Sequence, residues 1–198
     1  MIKVGIINLG YGNLTSIAYA IKKAGISNPK LINNNSKIKN FNRLIIPGHG
    51  NITTIKTKIS HIELLNKIKI TNIPTLGICL GMQLLHCFNK EDNIHGIGII
   101  KHNIKKLETN TIYRIPNIGW EKIKILKNNK YINTPKYFYF SHTYYANINN
   151  YTVATTFHMR PISAIIVKNN FTGTQFHPEK SGHNGIKFLK KFLFQQCN

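Results

Sequence analysis

Pro74-Thr75-Leu76-Gly77-Ile78-Cys79-Leu80-Gly81-Met82-Gln83 reads as a strand, a sharp turn and a helix, and this reading decides the fold. The glycines two before and two after Cys79 permit the tight strand-to-helix turn that lifts a side chain clear of a sheet. G-x-S-x-G meets the same geometric need in serine hydrolases. Here the side chain presented is a thiol. At a helix N-terminus it feels the positive end of the macrodipole, which favours the reactive thiolate. The pentapeptide equally suits a buried cysteine that packs a turn, so a second motif is needed to decide between them.

Working outward, β-branched apolar runs recur at Ile2 to Ile7, Leu44 to Ile46 and Thr75 to Ile78, each followed by a glycine-bearing turn and a helix-like pattern. This alternation predicts an α/β fold with a mostly parallel central sheet and flanking helices. Leu14 to Ala24 carries apolar residues at helical spacing and stops before Gly25, and Thr53 to Ile68 is a weaker helical stretch. From about Ile97 to Phe176 the runs become shorter and alternating, as in Tyr137-Phe138-Tyr139-Phe140 and Ser163 to Val167, which predicts additional antiparallel strands in the C-terminal half. Gly185 to Gln195 returns to helix, with Ile186, Leu189, Phe192 and Leu193 on one face. With 198 residues, no repeat and no linker, a single domain over 1–198 is expected.

The second motif is Gly173-Thr174-Gln175-Phe176-His177-Pro178-Glu179, at the end of an apolar strand that begins at Phe171. Pro178 biases His177 toward an extended conformation, and residues two apart in an extended segment point to the same side. A carboxylate beside an imidazole fixes its tautomer and stabilises the imidazolium formed when it accepts a thiol proton. The chain has six acids, Glu63, Glu91, Asp92, Glu108, Glu121 and Glu179, and Glu179 is the one that follows His177 at this spacing. The expected catalytic set is therefore Cys79, His177 and Glu179. His49, in Pro47-Gly48-His49-Gly50, is a rival base, but its flanking glycines make a loop whose N–H groups can turn toward an oxyanion. The amides of His49 and Leu80 are read as an oxyanion hole, and His142 as either core or site.

Composition excludes several other classes. A net charge of +21 raises the question of nucleic acid, but the lysines lie in short groups such as Lys22-Lys23, Lys105-Lys106 and Lys190-Lys191 rather than in a basic arm. No specific nucleic-acid binding is expected. Cys79, Cys87 and Cys197 have neither disulfide nor zinc spacing, so no metal and a reducing cytoplasm are expected. No apolar run is long enough to span a bilayer. Asn8-Leu9-Gly10-Tyr11-Gly12-Asn13 lacks the third glycine and the following acid of a dinucleotide fingerprint, so no cofactor is expected.

Together the segments resemble the class I glutamine amidotransferases, in which G-x-C-x-G supplies a nucleophile and H-P-E a base with its orienter. Within that family the likeness is to glutaminase subunits of imidazole glycerol phosphate synthase. It is carried by Gly12-Asn13-Leu14, Pro47-Gly48-His49-Gly50, Leu76 to Leu85, Pro116-Asn117-Ile118-Gly119-Trp120, Tyr139-Phe140-Ser141-His142-Thr143-Tyr144 and Gln175 to Ser181. The resemblance implies hydrolysis of L-glutamine, with Gly50, Gln83, Thr143 and Tyr144 holding the substrate. It also implies a heterodimer with the cyclase subunit of that synthase. The cyclase, a (β/α)-barrel that receives the ammonia, would sit against a face that includes Asn13, Trp120, Tyr139 and Lys180. Two segments depart from the usual pattern: His49 stands where P-G-V-G has valine, and Pro116-Asn117-Ile118-Gly119-Trp120-Glu121 stands where P-H-M-G-W-N is usual.

Overall fold

The computed structural model describes residues 1–33, 37–48, 59–89, 94–108 and 111–195. The first run forms β1 (Val4–Ile7), buried at all four positions as befits a strand covered on both faces. α1 (Leu14–Lys23) follows, opened by Asn13, whose Oδ1 accepts from Ser16 N at 3.0 Å. It closes as Gly25 predicts. Gly25 takes φ 111°, its N–H donates to Lys22 O at 3.0 Å, and Ile26 N donates to Ile21 O at 3.2 Å.

The alternation continues through β2 (Lys30–Ile32), β3 (Arg43–Ile46), α2 (Ile59–Lys69), β4 (Thr75–Ile78) and α3 (Leu80–Leu84). Of the helix expected over Thr53–Ile68, residues 53–58 lie outside the described residues; the rest is observed and extends to Lys69. The chain then forms β5 (Phe88–Asn89), β6 (Ile94–His95), β7 (Ile104–Lys106), β8 (Asn117–Lys122), β9 (Lys124–Ile125), β10 (Tyr137–His142) and β11 (Tyr144–Ala146). It ends with β12 (Thr152–His158), β13 (Arg160–Lys168), β14 (Phe171–Thr174) and α4 (Gly182–Phe194). α4 begins three residues ahead of the expected Gly185, which packs against the segment before the helix: a Cβ there would lie 1.9 Å from the Pro178 carbonyl oxygen.

The main sheet has the order β2-β1-β3-β4-β14-β13-β12-β9. Its first five strands are parallel, and β13, β12 and β9 extend it with antiparallel pairing. Separate antiparallel pairs join β10 to β8 and β11 to β7. Strand alternation divides the core between the two faces. Val4, Ile6, Ile45, Leu76 and Ile78 pack with α1 and with Phe188, Leu189, Phe192 and Leu193 of α4. Ile7, Leu44 and Ile46 pack on the other face with Leu64, Leu65 and Ile68 of α2. β4 and β14 lie side by side with Gly77 opposite Gly173 and Ile78 opposite Thr174, so Cys79 and the segment leading to His177 leave the sheet at the same end. In open α/β sheets that end, beyond the carboxyl termini of the strands, is where ligands bind.

Candidate active site

The turn after β4 is built from backbone contacts that exclude a β-carbon. A Cβ on Gly77 would lie 2.5 Å from the Gly81 carbonyl oxygen, and one on Gly81 would lie 2.2 Å from the Ile46 carbonyl oxygen of β3. Gly48 closes a third side, where a Cβ would meet the Ile78 oxygen at 2.5 Å and Cys79 Cβ at 2.8 Å. This close approach holds Cys79 at φ 47° and ψ −102°, a strained conformation for a residue with a side chain, which persists only where surrounding structure imposes it. α3 is only five residues long, so its dipole is a smaller influence on the sulfur than the sequence suggested.

The nearer influence is an imidazole. His177 N donates to Tyr139 O at 2.9 Å, which ties the end of the β14 segment to β10, and the residue is extended at φ −98° and ψ 97°, as Pro178 requires. Glu179 reaches the ring differently from the strand alternation expected. Pro178–Lys180 is a turn of 3₁₀ helix, with proline at its favoured first position, and that turn folds Glu179 back onto His177. Glu179 Oε1 lies 2.7 Å from His177 Nδ1, and both side chains are buried. Ser181 Oγ secures the arrangement, donating to His177 O at 2.6 Å and accepting from Tyr139 N at 2.9 Å.

With Nδ1 donating to a carboxylate, the opposite ring nitrogen serves the thiol. Burial alone would lower the His177 pKa. The charge and hydrogen bond of Cys79, followed by those of Glu179, outweigh burial and raise it to about 10. The ring is thereby a strong acceptor for a thiol proton. Two further groups touch the sulfur: the Ser141 carbonyl oxygen at 3.5 Å and Gln175 Nε2 at 3.6 Å.

The remaining expected residues fall in three groups. Gln83 is buried one turn after Cys79, its N–H donating to Cys79 O at 3.0 Å and its Nε2 donating to Tyr144 O at 3.0 Å. Through that bond and the Ser141 contact, half-buried Thr143 and Tyr144 at the β10–β11 junction are drawn to the thiol. Leu80 opens α3, so its N–H has no intrahelical acceptor, while His49 and Gly50 lie outside the described residues. His142 is a core residue. Its Nδ1 donates to Tyr144 O at 3.0 Å and its Nε2 lies 3.3 Å from Asn117 Nδ2; burial drives its pKa down to about 3, so it is neutral. The third group is a surface. Trp120 on β8 is 53% exposed, is paired in register with Tyr139, and meets its ring edge-on at 6.1 Å, while Lys180 Nζ lies 5.8 Å from the centre of the same ring. Asn13, also exposed, uses its side chain to cap α1.

Sequence reasoning did not single out Gln175 or Ser181, although both stand inside or beside the histidine motif. Only the tertiary fold shows that Gln175 turns to the sulfur and Ser181 to the histidine backbone.

A thiol in a strained strand-to-helix turn, beside a carboxylate-held imidazole at the end of a parallel sheet, is the kind of arrangement that cysteine-dependent hydrolases on α/β folds use. The family model for glutamine amidotransferase class-I matches residues 6–196, and the chain belongs to that family of enzymes. Imidazole glycerol phosphate synthase subunit HisH of Bacteroides fragilis (strain YCH46) is 36% identical over 194 residues, 96% of this chain and 98% of its own. The subunit HisH of Buchnera aphidicola subsp. Acyrthosiphon pisum is 40% identical over 192 residues, covering 95% and 97%. Within the family the chain is therefore a glutaminase subunit of the imidazole glycerol phosphate synthase kind, of histidine biosynthesis. The fold is shared more widely: PurLQS of Thermotoga maritima superposes with a TM-score of 0.66 at 16% identity, over 97% of this chain and 97% of that one.

Proposed function

We propose that Cys79, His177 and Glu179 are the triad that hydrolyses L-glutamine, and that the ammonia released passes to a cyclase subunit. The observation that carries this reading is the strained Cys79 held against a histidine whose other nitrogen is bound by Glu179 at 2.7 Å. His177 takes the thiol proton, and the resulting thiolate attacks the substrate carboxamide carbon, giving a tetrahedral oxyanion. The Leu80 N–H, with that of His49, stabilises this charge, and each such donor accounts for roughly 10²–10³ in rate. The carbon–nitrogen bond then breaks, His177 protonates the leaving nitrogen, and ammonia departs. A water molecule, deprotonated by His177, attacks the thioester; the carbon–sulfur bond breaks and glutamate leaves. Gln83, Thr143, Tyr144 and Gly50 hold the substrate.

The exposed Trp120–Tyr139–Lys180 cluster, with Asn13, faces the cyclase. An exposed tryptophan set edge-on against a tyrosine is a usual anchor of an interface, and nothing in the triad requires it. The complex works in the cytoplasm.

Cys79→Ser tests the reading. In the complex with its cyclase it is expected to lose glutamine-dependent synthesis while synthesis from added ammonium salt continues, because only the supply of ammonia passes through the thiol. Equal loss of both activities would contradict the assignment.

A further inference from the structure

One buried amide beside the thiol has no part in the triad. Gln175 is 0% exposed, and its backbone is fixed by donation from Gln175 N to Ala164 O at 2.9 Å on β13. Its Nε2 lies 3.6 Å from Cys79 Sγ, while its Oε1 is buried with no hydrogen-bond partner among the described residues. A carboxamide sealed from water with its oxygen unsatisfied is a poor space-filler, since leucine or methionine would occupy the volume without stranding a polar atom. The placement makes physical sense when the N–H faces an anion, because a donor to an ionised acceptor forms a charge-assisted bond, stronger than one to a neutral acceptor.

The sulfur stands between opposed groups. The Ser141 carbonyl oxygen at 3.5 Å accepts from a protonated thiol and repels an anionic one. Gln175 N–H and the His177 ring favour the anion. Turning the amide over would set its oxygen against the sulfur beside the Ser141 oxygen, so electrostatics select the orientation with nitrogen inward. The other titratable groups facing this cluster are Glu179, behind His177, and Tyr11, on the loop after β1. Burial first, and then Cys79, raises the Tyr11 pKa and keeps its phenol neutral. His142, beyond His177, is neutral as well.

We infer that Gln175 is a further catalytic residue of this site: its Nε2–H donates to the Cys79 thiolate and holds the sulfur ionised and in place before glutamine binds. The inference rests on Cys79 as the nucleophile of the function proposed above.

The test is the rate of Cys79 alkylation by iodoacetamide against pH, in the full-length chain with Cys87 and Cys197 changed to serine. The thiolate forms the carbon–sulfur bond as iodide leaves, so the rate follows the thiolate fraction and needs no glutamine turnover. Two variants are compared: Gln175→Met, which keeps the bulk and removes the donor, and Gln175→Asn, which keeps the amide but withdraws it by one methylene. Each is expected to move the pH midpoint of alkylation upward by about one unit, which slows the reaction about tenfold below the midpoint. Glutamine hydrolysis is expected to lose a similar factor in kcat with little change in KM. An unchanged midpoint in whichever variant folds overturns the inference. A shifted midpoint in a chain that hydrolyses no glutamine, even with its cyclase bound, would sustain Gln175 at the thiol and overturn the glutaminase reading instead.

Discussion

His177 and Glu179 act on the thiol at different removes, and their variants should separate accordingly. The imidazole exchanges the proton itself, so His177→Asn is expected to lower kcat/KM for glutamine by roughly 10³–10⁴, toward the upper end of the range for a general base. Glu179 acts through the ring, 2.7 Å from Nδ1, and its charge is one of the influences that raise the histidine pKa. Glu179→Gln keeps an oxygen available to Nδ1 and removes the charge. It is expected to retain more activity, losing roughly 10²-fold, with the pH profile moved to lower pH as the ring loses its partner's charge. Steady-state kinetics over a range of pH reads both effects. If His177→Asn kept the activity of the unsubstituted chain, the base would have to be sought elsewhere, with His49 the first candidate.

At the scale of elements, the site depends on how α4 and the nucleophile turn are fastened to the sheet. The turn is fastened by glycines that bring β3, β4 and α3 into backbone contact. α4 is fastened by an arginine. Arg43, buried at the first position of β3, donates Nε to Phe192 O at 3.1 Å and an Nη to the carbonyl of Gln195, and its other Nη donates to Asn42 O at 2.8 Å. A guanidinium among the last carbonyls of a helix satisfies acceptors that have no intrahelical donor and complements the negative end of the dipole. Arg43→Met removes the donor from the buried Phe192 carbonyl and the part-buried Gln195 and Asn42 carbonyls, at a cost of about 1–3 kcal/mol for the buried one and less for the others. The expected loss of stability is about 3 kcal/mol, read as a lower urea midpoint with unchanged slope. A midpoint equal to that of the unsubstituted chain would show that α4 is held by its apolar face alone.

The whole molecule carries 27 basic residues against six acidic ones, and this imbalance shapes its response to acid. His86 and His142 are buried histidines whose charged form burial disfavours. Burial, opposed by the hydrogen bond to Met82 O and assisted by His102, lowers the His86 pKa to about 4; that of His142 is lowered to about 3. Both values lie below the ordinary imidazole value of about 6.5, so the folded state binds fewer protons than the unfolded one between those limits. The stability involved is fully present above pH ~6.5 and is lost as pH falls toward 4 and then 3. Each group removes up to about 1.4 kcal/mol per pH unit, so together they account for roughly 4 kcal/mol lost by pH 5. His177 has the opposite sign: its raised pKa gives stability that is complete below pH ~6.5 and is lost as pH rises through about 10. Urea titrations from pH 8 to pH 5 should show the acid loss, and His86→Gln should remove about half of it. An identical acid limb in that variant would assign the loss to general repulsion among the basic groups.

The candidate residues Cys79, His177 and Glu179 and the strands β1, β3, β4 and β14 of the parallel half of the sheet were legible in the sequence by itself, because short-range chemistry writes them there; β2 (Lys30–Ile32), three residues with two of them exposed, was not. Glycines at fixed offsets from a cysteine signal a turn that only glycine permits, apolar runs between glycine turns signal buried strands, and a proline after a histidine restricts that histidine's backbone. Gly25 as the stop of α1 belongs to the same class, since it depends on a few neighbouring residues. What the tertiary structure decided depends on contacts between segments far apart in the chain. Strand pairing of β4 with β14 put Cys79 beside a histidine 98 positions later, and a 3₁₀ turn rather than strand alternation brought Glu179 to the ring. The same is true of His142, which burial and two hydrogen bonds made a neutral core residue, and of Trp120, which pairing with β10 left on the surface. Gln175 is the sharpest case: its neighbours in sequence say nothing of a sulfur 3.6 Å away, because side-chain direction at a strand end is set by what packs around it.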